Sequence, residues 1–203
     1  KGLSLLIEAK ALPVPAVIHD GIAGEFQFLL LEYVEEGPPT ASYWQNFGSG
    51  LALLHQNPAV VFGLDHDNYI GSLPQLNKQL GTWAEFFIEQ RLLIQLRIAV
   101  DSRKLDAVIS RKFDVLFLKL PEMLPDEGPS LLHGDLWGGN LMITSSGQPC
   151  LIDPAVYYGH REVDLAMTQL FGGFDASFLQ TYREVHPLLP DYDDRVDVYN
   201  LYR

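Results

Sequence analysis

The stretch from Ser130 to Asp153, SLLHGDLWGGNLMITSSGQPCLID, constrains this chain more than any other. It holds an apolar run, a glycine-spaced polar turn from His133 to Asn140, a second apolar run, the turn Ser145-Ser146-Gly147, and a third run ending on a carboxylate. The glycines permit a sharp loop, so Asp135 and Asn140, five residues apart, can face one pocket. If the runs flanking the Ser-Ser-Gly turn pair as strands, Asp153 returns to Asn140. Three oxygen-bearing side chains then converge. Asn and Asp oxygens suit Mg²⁺, which is commonly held by one or two protein groups together with nucleotide phosphates. Phosphoryl transfer asks little more of a protein than such a metal and a carboxylate that positions and deprotonates the attacking hydroxyl. Asp135 is therefore the candidate base, and Asn140 and Asp153 are the candidate metal ligands.

A net charge of −12, from 14 Lys and Arg against 26 Asp and Glu, opposes binding to DNA, RNA or an anionic membrane surface. No apolar run approaches the ~20 residues that span a bilayer, and the Lys-Gly start lacks a cationic region followed by an apolar signal segment. The single cysteine, Cys150, cannot form an internal disulfide, so a cytoplasmic setting is the expectation. At 203 residues the chain can build one generous core or two unequal lobes. It opens inside the helix-like LSLLIEAKAL and stops at YNLYR without a terminator, which reads as a fragment. No pattern indicates an oligomeric state.

Leu3 to Leu12 predicts a helix, and Pro13 and Pro15 then force an extended path into a strand at Ala16-Val17-Ile18. The turn signal His19-Asp20-Gly21 precedes a second run, Glu25 to Val34, apolar enough to be a strand buried on both faces. Glu35-Glu36-Gly37-Pro38-Pro39 is charged and rich in helix breakers, and it marks a linker. Beyond it Trp44, Phe47, Leu51 and Leu54 form one stripe of an amphipathic helix. Pro58 to Leu80 is irregular, and a loop of that length in a compact domain is usually functional. Thr82 and Glu85 make a capping box for a helix carrying Trp83, Phe86, Phe87, Leu93 and Ile94. Leu105 to Leu120 is another helix, ended by Pro121 and Pro125, and Arg161 to Phe171 and Phe178 to Val185 are two more.

The order Asp135, then Asn140, then the strand-end Asp153 is that of the protein-kinase catalytic loop and metal aspartate. HGDLWGGN followed by LIDPAVYYGHREVDLAM resembles the fructosamine kinase (ketosamine 3-kinase) family, within the aminoglycoside phosphotransferase and choline kinase group. The similarity extends to FGLDHDNYIG, PQLN, the Trp83-Phe86-Phe87-Arg91 helix and the VPAVI to LLLEYV hairpin, nearly the whole chain. The resemblance implies an α+β, protein-kinase-like two-lobe fold. Residues 1–34 would be the remainder of a nucleotide-binding lobe, 35–39 the hinge, and 40–203 a mainly helical catalytic and substrate lobe with its catalytic-loop hairpin. It also implies ATP and Mg²⁺ as cofactors and phosphorylation of a sugar hydroxyl on a ribulosamine or fructosamine adduct, free or protein-bound, as a deglycation repair.

Carried residue by residue, the resemblance makes Asp135 the base and Asn140 and Asp153 the metal ligands. The segment Glu32, Tyr33 and Val34 matches the hinge whose main-chain groups meet adenine. Trp137 could offer a flat face to the sugar adduct or simply fill a gap. Asp67, Asn68 and Tyr69 fall where the long loop could approach the acceptor. In the family the glycine-rich strand pair, the phosphate-pairing Lys and its Glu partner precede the point where this chain starts. Neither Lys1 nor Glu8 replaces them, so slow or absent turnover by this chain alone is the expectation.

Other residues read as structural. His133 braces the loop through a hydrogen bond, His55 is a satisfied core or surface histidine, and Cys150 is a small buried hydrophobe. Glu162 and Asp164 could be solvated helix-start charges. The family motif instead has Asp164 accepting backbone hydrogen bonds from the catalytic loop. His133, Asp135 and His160 match no usual zinc spacing. Two alternatives remain open: a related kinase acting on an aminoglycoside, choline-like or homoserine-like alcohol, and a non-catalytic kinase-like binding module.

Overall fold

The computed structural model describes residues 1–202. The chain is α+β, with eight α-helices and four two-stranded antiparallel sheets among the described residues. Helix α1 (Gly2–Ala9) stops short of the expected Leu12 because Lys10 turns left-handed, φ 52°, ahead of Pro13 and Pro15. Strands β1 (Val17–Ala23) and β2 (Phe26–Leu31) then form the expected hairpin, with Asp20 opposite Leu29 and Ala23 opposite Phe26. The expectation that the second strand is buried on both faces is overturned: Phe26 is 77% exposed, and Leu29 and Leu30 are also open to solvent. An apolar run favours burial, but burial needs a second layer, and among the described residues β1 and β2 are each other's only strand neighbours.

The charged linker is fastened to the catalytic-loop hairpin. The Gly37 N–H donates to the Ile143 carbonyl at 3.3 Å, and Glu36 bridges Thr144. That hairpin is β6 (Leu141–Ile143) against β7 (Pro149–Leu151), closed by Ser145-Ser146-Gly147 with Leu141 opposite Leu151, as the apolar runs predict. Strands β3 (Asn68–Ile70) and β4 (Leu73–Gln75) pair within the long loop, and β5 (Ser130–Leu132) pairs with β8 (Tyr157–Gly159).

Helix α2 (Tyr43–His55) buries Phe47, Leu51 and Leu54, the predicted stripe, and packs on α7 (Ala176–Val185). Thr82 caps α3 (Trp83–Phe86), its hydroxyl accepting the Glu85 N–H while bonding the Glu85 carboxylate at 2.9 Å. The next residues, Phe87–Leu92, form a π-helical turn before α4 (Leu93–Asp101). A π turn inserts one residue and rotates the following helix. Hence Leu92 and Leu96 enter the core where a plain 3.6-residue period predicts Leu93 and Ile94. Helix α5 (Ala107–Met123) contains Pro121 in its last turn, and Leu124 leaves the helix in an extended conformation. Helices α6 (Glu162–Phe171) and α7 follow as expected, and α8 (Tyr192–Asn200), which carries three Asp and few apolar residues, is an addition.

Helix α6 starts deep inside the protein. Glu162 and Asp164 are fully buried, so they are not solvated helix-start charges. Glu162 accepts a two-pronged ion pair from Arg195 of α8, at 2.8 and 2.7 Å. Asp164 accepts the backbone N–H of His133 at 2.7 Å and that of Gly134 at 2.9 Å, and the His55 ring at 3.2 Å. The other His55 nitrogen bonds the Tyr182 hydroxyl at 2.8 Å. Arg161, held by Glu127, donates to that same hydroxyl at 3.4 Å. The line Arg161, Tyr182, His55, Asp164 therefore runs from one end of α7 to the catalytic loop.

Protonation follows from these partners. Burial acts to raise the Asp164 pKa, but the hydrogen bond and charge of His55, with the loop amide, outweigh it and hold the carboxyl below the ordinary value. Burial lowers His55 more than Asp164 raises it, so His55 is neutral and donates from Nε2. Burial opposes ionisation of Glu127, yet the hydrogen bonds from His160 and Arg161 bring it down to about 2. All three groups bind fewer protons folded than unfolded, so acid destabilises the fold. Stability should be full above about pH 7, begin to fall below about 6.5 as unfolded His55 takes up a proton, and fall further below about 4 with Asp164 and Glu127. Urea midpoints measured from pH 8 to pH 3 check this course, and His55→Gln should reduce its first part, to which His186, also lowered by burial, contributes. Asp164→Asn, which removes a charged acceptor from two backbone donors, should cost about 2–4 kcal/mol in urea unfolding.

Candidate active site

The loop between β5 and β6 depends on glycine at one position. Gly134 sits at φ 81°, and a Cβ there would lie 2.0 Å from the Ala155 carbonyl oxygen. No other residue lets the chain pass that close to the segment that follows Asp153. His133 braces the loop as expected: its Nε2 bonds the Ile152 carbonyl at 2.9 Å and its Nδ1 accepts the Asp135 N–H at 3.3 Å. One neutral tautomer, protonated at Nε2, satisfies both.

Asp135, Asn140 and Asp153 come together as the hairpin requires. Asn140 Nδ2 donates to the Asp135 carboxylate at 3.0 Å, to the Asp135 carbonyl at 2.9 Å and to the Asp153 carbonyl at 3.4 Å. Three oxygens around one amide end fix that end as the NH₂. The opposite end, Oδ1, is a hard oxygen with no hydrogen bond among the described residues. Asp153 is solvent-exposed at φ 49° and opens onto a cleft of about 440 Å³ bounded by Val17, Asp20, Leu29, Pro154 and the start of α1. The donor set, an amide oxygen and a free carboxylate, therefore fits a hard divalent cation.

Trp137 follows Asp135 by two residues, its backbone N–H donates to the Asp135 carbonyl at 3.2 Å, and the residue is 42% exposed. The hinge candidates line a second cleft, of about 360 Å³, with Glu32, Tyr33, Val34 and Glu35 on one side and Thr144, Ser145 and Cys150 on the other. The Glu32 N–H is engaged by the Ala16 carbonyl at 2.8 Å. Its carbonyl and the Val34 N–H make no backbone hydrogen bond among the described residues. Cys150 is buried, and burial lifts its thiol to about 11, a small hydrophobe rather than a nucleophile.

The long-loop candidates separate. Asp67 accepts the Asn77 N–H at 2.8 Å, and Asn68 bonds the Val156 carbonyl at 2.8 Å, Gln75 and Asn77. Asp67 thus braces the loop while remaining exposed, Asn68 ties it to the segment after Asp153, and Tyr69 presents a largely exposed ring. Asn77 in turn accepts from Arg91, which is fully buried and donates also to the Leu76 and Gln90 carbonyls. The Arg91 guanidinium lies 4.0 Å from the Tyr157 ring centre and 4.6 Å from that of Phe86. Among the described residues no carboxylate pairs with it, so aromatic faces and carbonyls hold the cation. Arg91, Asn77 and Gln75, whose amide donates to the Ala155 carbonyl at 3.0 Å, thus tie the long loop to the segment after Asp153. The sequence signal for them was an Arg on an otherwise apolar helix and the polar pair within PQLN. Neither residue type nor spacing disclosed the partners.

The fold is that of the protein-kinase-like phosphotransferases. Solved structures from Haemophilus somnus and Thermobifida fusca, each provisionally described as a fructosamine-3-kinase, superpose with TM-scores of 0.90 and 0.89 at 32% and 37% identity, covering 99% of this chain and 68% and 69% of theirs. A thermostable aminoglycoside phosphotransferase APH(4)-Ia, solved with ADP and hygromycin B, shares the fold at a TM-score of 0.65 and 17% identity, covering 99% of this chain and 72% of that one. A probable ketoamine kinase from Synechocystis is 41% identical over 99% of this chain and 68% of its own length, and another from Vibrio parahaemolyticus is 43% identical over 100% and 70%. The family model described as fructosamine kinase matches residues 1–203, and the chain belongs to that family.

Proposed function

We propose that this chain carries the catalytic half of an ATP- and Mg²⁺-dependent kinase that phosphorylates a sugar hydroxyl of a ketosamine, ribulosamine or fructosamine, as a step in the repair of glycated amines. The observation that carries the reading is the Asn140 amide, whose Nδ2 is held by the Asp135 carboxylate and by the Asp153 main-chain carbonyl, which leaves its oxygen without a hydrogen bond among the described residues. One residue thereby fixes the base and offers a metal donor. Membership of the fructosamine kinase family supports the acceptor class, and the ADP complex of the distant APH(4)-Ia supports the donor.

In this reading Asp135 accepts the proton of the attacking hydroxyl as its oxygen bonds to the γ-phosphorus and the bond to the ADP oxygen breaks. The Asn140 N–H orients the Asp135 carboxylate toward the acceptor. Asn140 Oδ1 and the Asp153 carboxylate would hold Mg²⁺, which neutralises phosphate charge when bound. The Glu32 carbonyl and the Val34 N–H would meet adenine in the cleft before the 35–39 linker, which would act as hinge between residues 1–34 and 40–203. Trp137 would stack on the sugar, and Tyr69 would reach the acceptor from the long loop, while Asp67 and Asn68 hold that loop in shape. No strand of the described residues carries a Lys, so turnover by these residues alone is expected to be slow. No helix among the described residues is long and apolar enough to cross a membrane, and we place the activity in the cytoplasm.

Turnover should be measured on this chain and on the protein extended to the length of its relatives, with ribulosamine, fructosamine, aminoglycoside and choline acceptors. The expected outcome is Mg²⁺-dependent ATP consumption with the ketosamines only. Asp135→Asn should lower kcat by at least about 10²-fold, the usual worth of a general base, with KM for ATP little changed. Intact turnover in that variant would falsify the base assignment. Asp153→Asn should raise the Mg²⁺ concentration needed for half-maximal rate.

A further inference from the structure

Helix α6 delivers a second group to the same place. Asp164, which holds the catalytic loop, and Phe171, the last residue of the helix, are seven apart, two turns along one face and about 10 Å in rise. Phe171 is 62% exposed, and its ring centre lies 6.2 Å from that of Trp137, with the planes tilted by 60°. Leu170 beside it is also exposed. The Trp137 ring lies folded over Gly139, where a Cβ would come within 2.2 Å of it, so the loop leaves room for that ring to lie flat. Two large aromatic side chains, one of them two residues after Asp135 on the same loop, thus stand partly open to solvent, although both would gain by burial.

We infer that Phe171 is a specificity-determining residue that, together with Trp137, takes the substituted amine of the acceptor. The inference rests on the ketosamine reading above. A ketosamine differs from its parent ketose by a secondary amine, protonated at neutral pH, and by the alkyl chain the amine carries. The sugar's C–H face suits one aromatic wall, and the cationic amine with its first methylenes suits the face of the other. No Lys or Arg of the described residues pairs with either ring, so both faces are open to a cation. The net charge of −12 adds attraction for such an acceptor.

The test compares two acceptors on the full-length protein: the ribulose adduct of butylamine and free ribulose. Phe171→Ala should raise KM for the adduct about five-fold, the worth of one cation–π contact at a partly exposed site. Its kcat for the adduct, its KM for ATP and its KM for free ribulose should stay within two-fold of wild type, and Phe171→Tyr should restore the adduct KM. Because Phe171 is exposed, the Ala variant should unfold at the wild-type urea concentration. Equal loss on both acceptors, or no loss on either, overturns the inference alone. A wild-type protein inert toward the adduct overturns the ketosamine reading as well, and is told apart by that silence before any variant is made.

Discussion

A single buried carboxylate organises the glycine-rich loop from His133 to Asn140. Asp164 has no water to solvate it, so its charge is tolerable only while His133, Gly134 and His55 donate to it. The obligation works in both directions. Two consecutive backbone N–H groups of a glycine-rich loop, which would otherwise be free to turn, are held on a helix that is itself fixed by the Glu162–Arg195 pair. The loop then has one conformation, and the positions of Asp135 and Asn140 follow from it.

Support for the rest of the site is built from neutral and aromatic partners rather than from ion pairs. Arg91 is the clearest case, a full charge in the interior held by carbonyls, one amide oxygen and ring faces. Arg suits this because its guanidinium is flat, weakly hydrated and able to stack while donating at its edge. The cation organises the long loop and leaves the acidic groups of the site unneutralised.

Much of this was legible in the residues. Asp135, Asn140 and Asp153 converge because the spacing of glycines and short apolar runs admits one hairpin, and His133 and Asp164 act as their places in the motif indicate. The capping box at Thr82 is local chemistry and was equally readable. The phase of α4 was not, since the π turn at Phe87–Leu92 shifts the helix that follows by one residue, and a 3.6-residue period does not reveal such a turn. Helix α8 was also hidden, because it is held by one buried ion pair and a few tyrosines instead of an apolar stripe.

By itself the sequence determined the order and identity of the chemical groups: a carboxylate, an amide and a second carboxylate on a glycine loop and its hairpin. It also determined the net charge of −12. Only the tertiary structure decided which polar residues are working surface and which are scaffolding. Asp67 accepts a backbone N–H of its own loop and Asn68 ties that loop to Val156, while Phe171, read as ordinary helix, stands exposed against Trp137. β2, apolar enough for a core, lies exposed. The physical reason is the same in each case: residue type fixes what a group can bond to, but which partners it meets is set by chain segments far away in sequence.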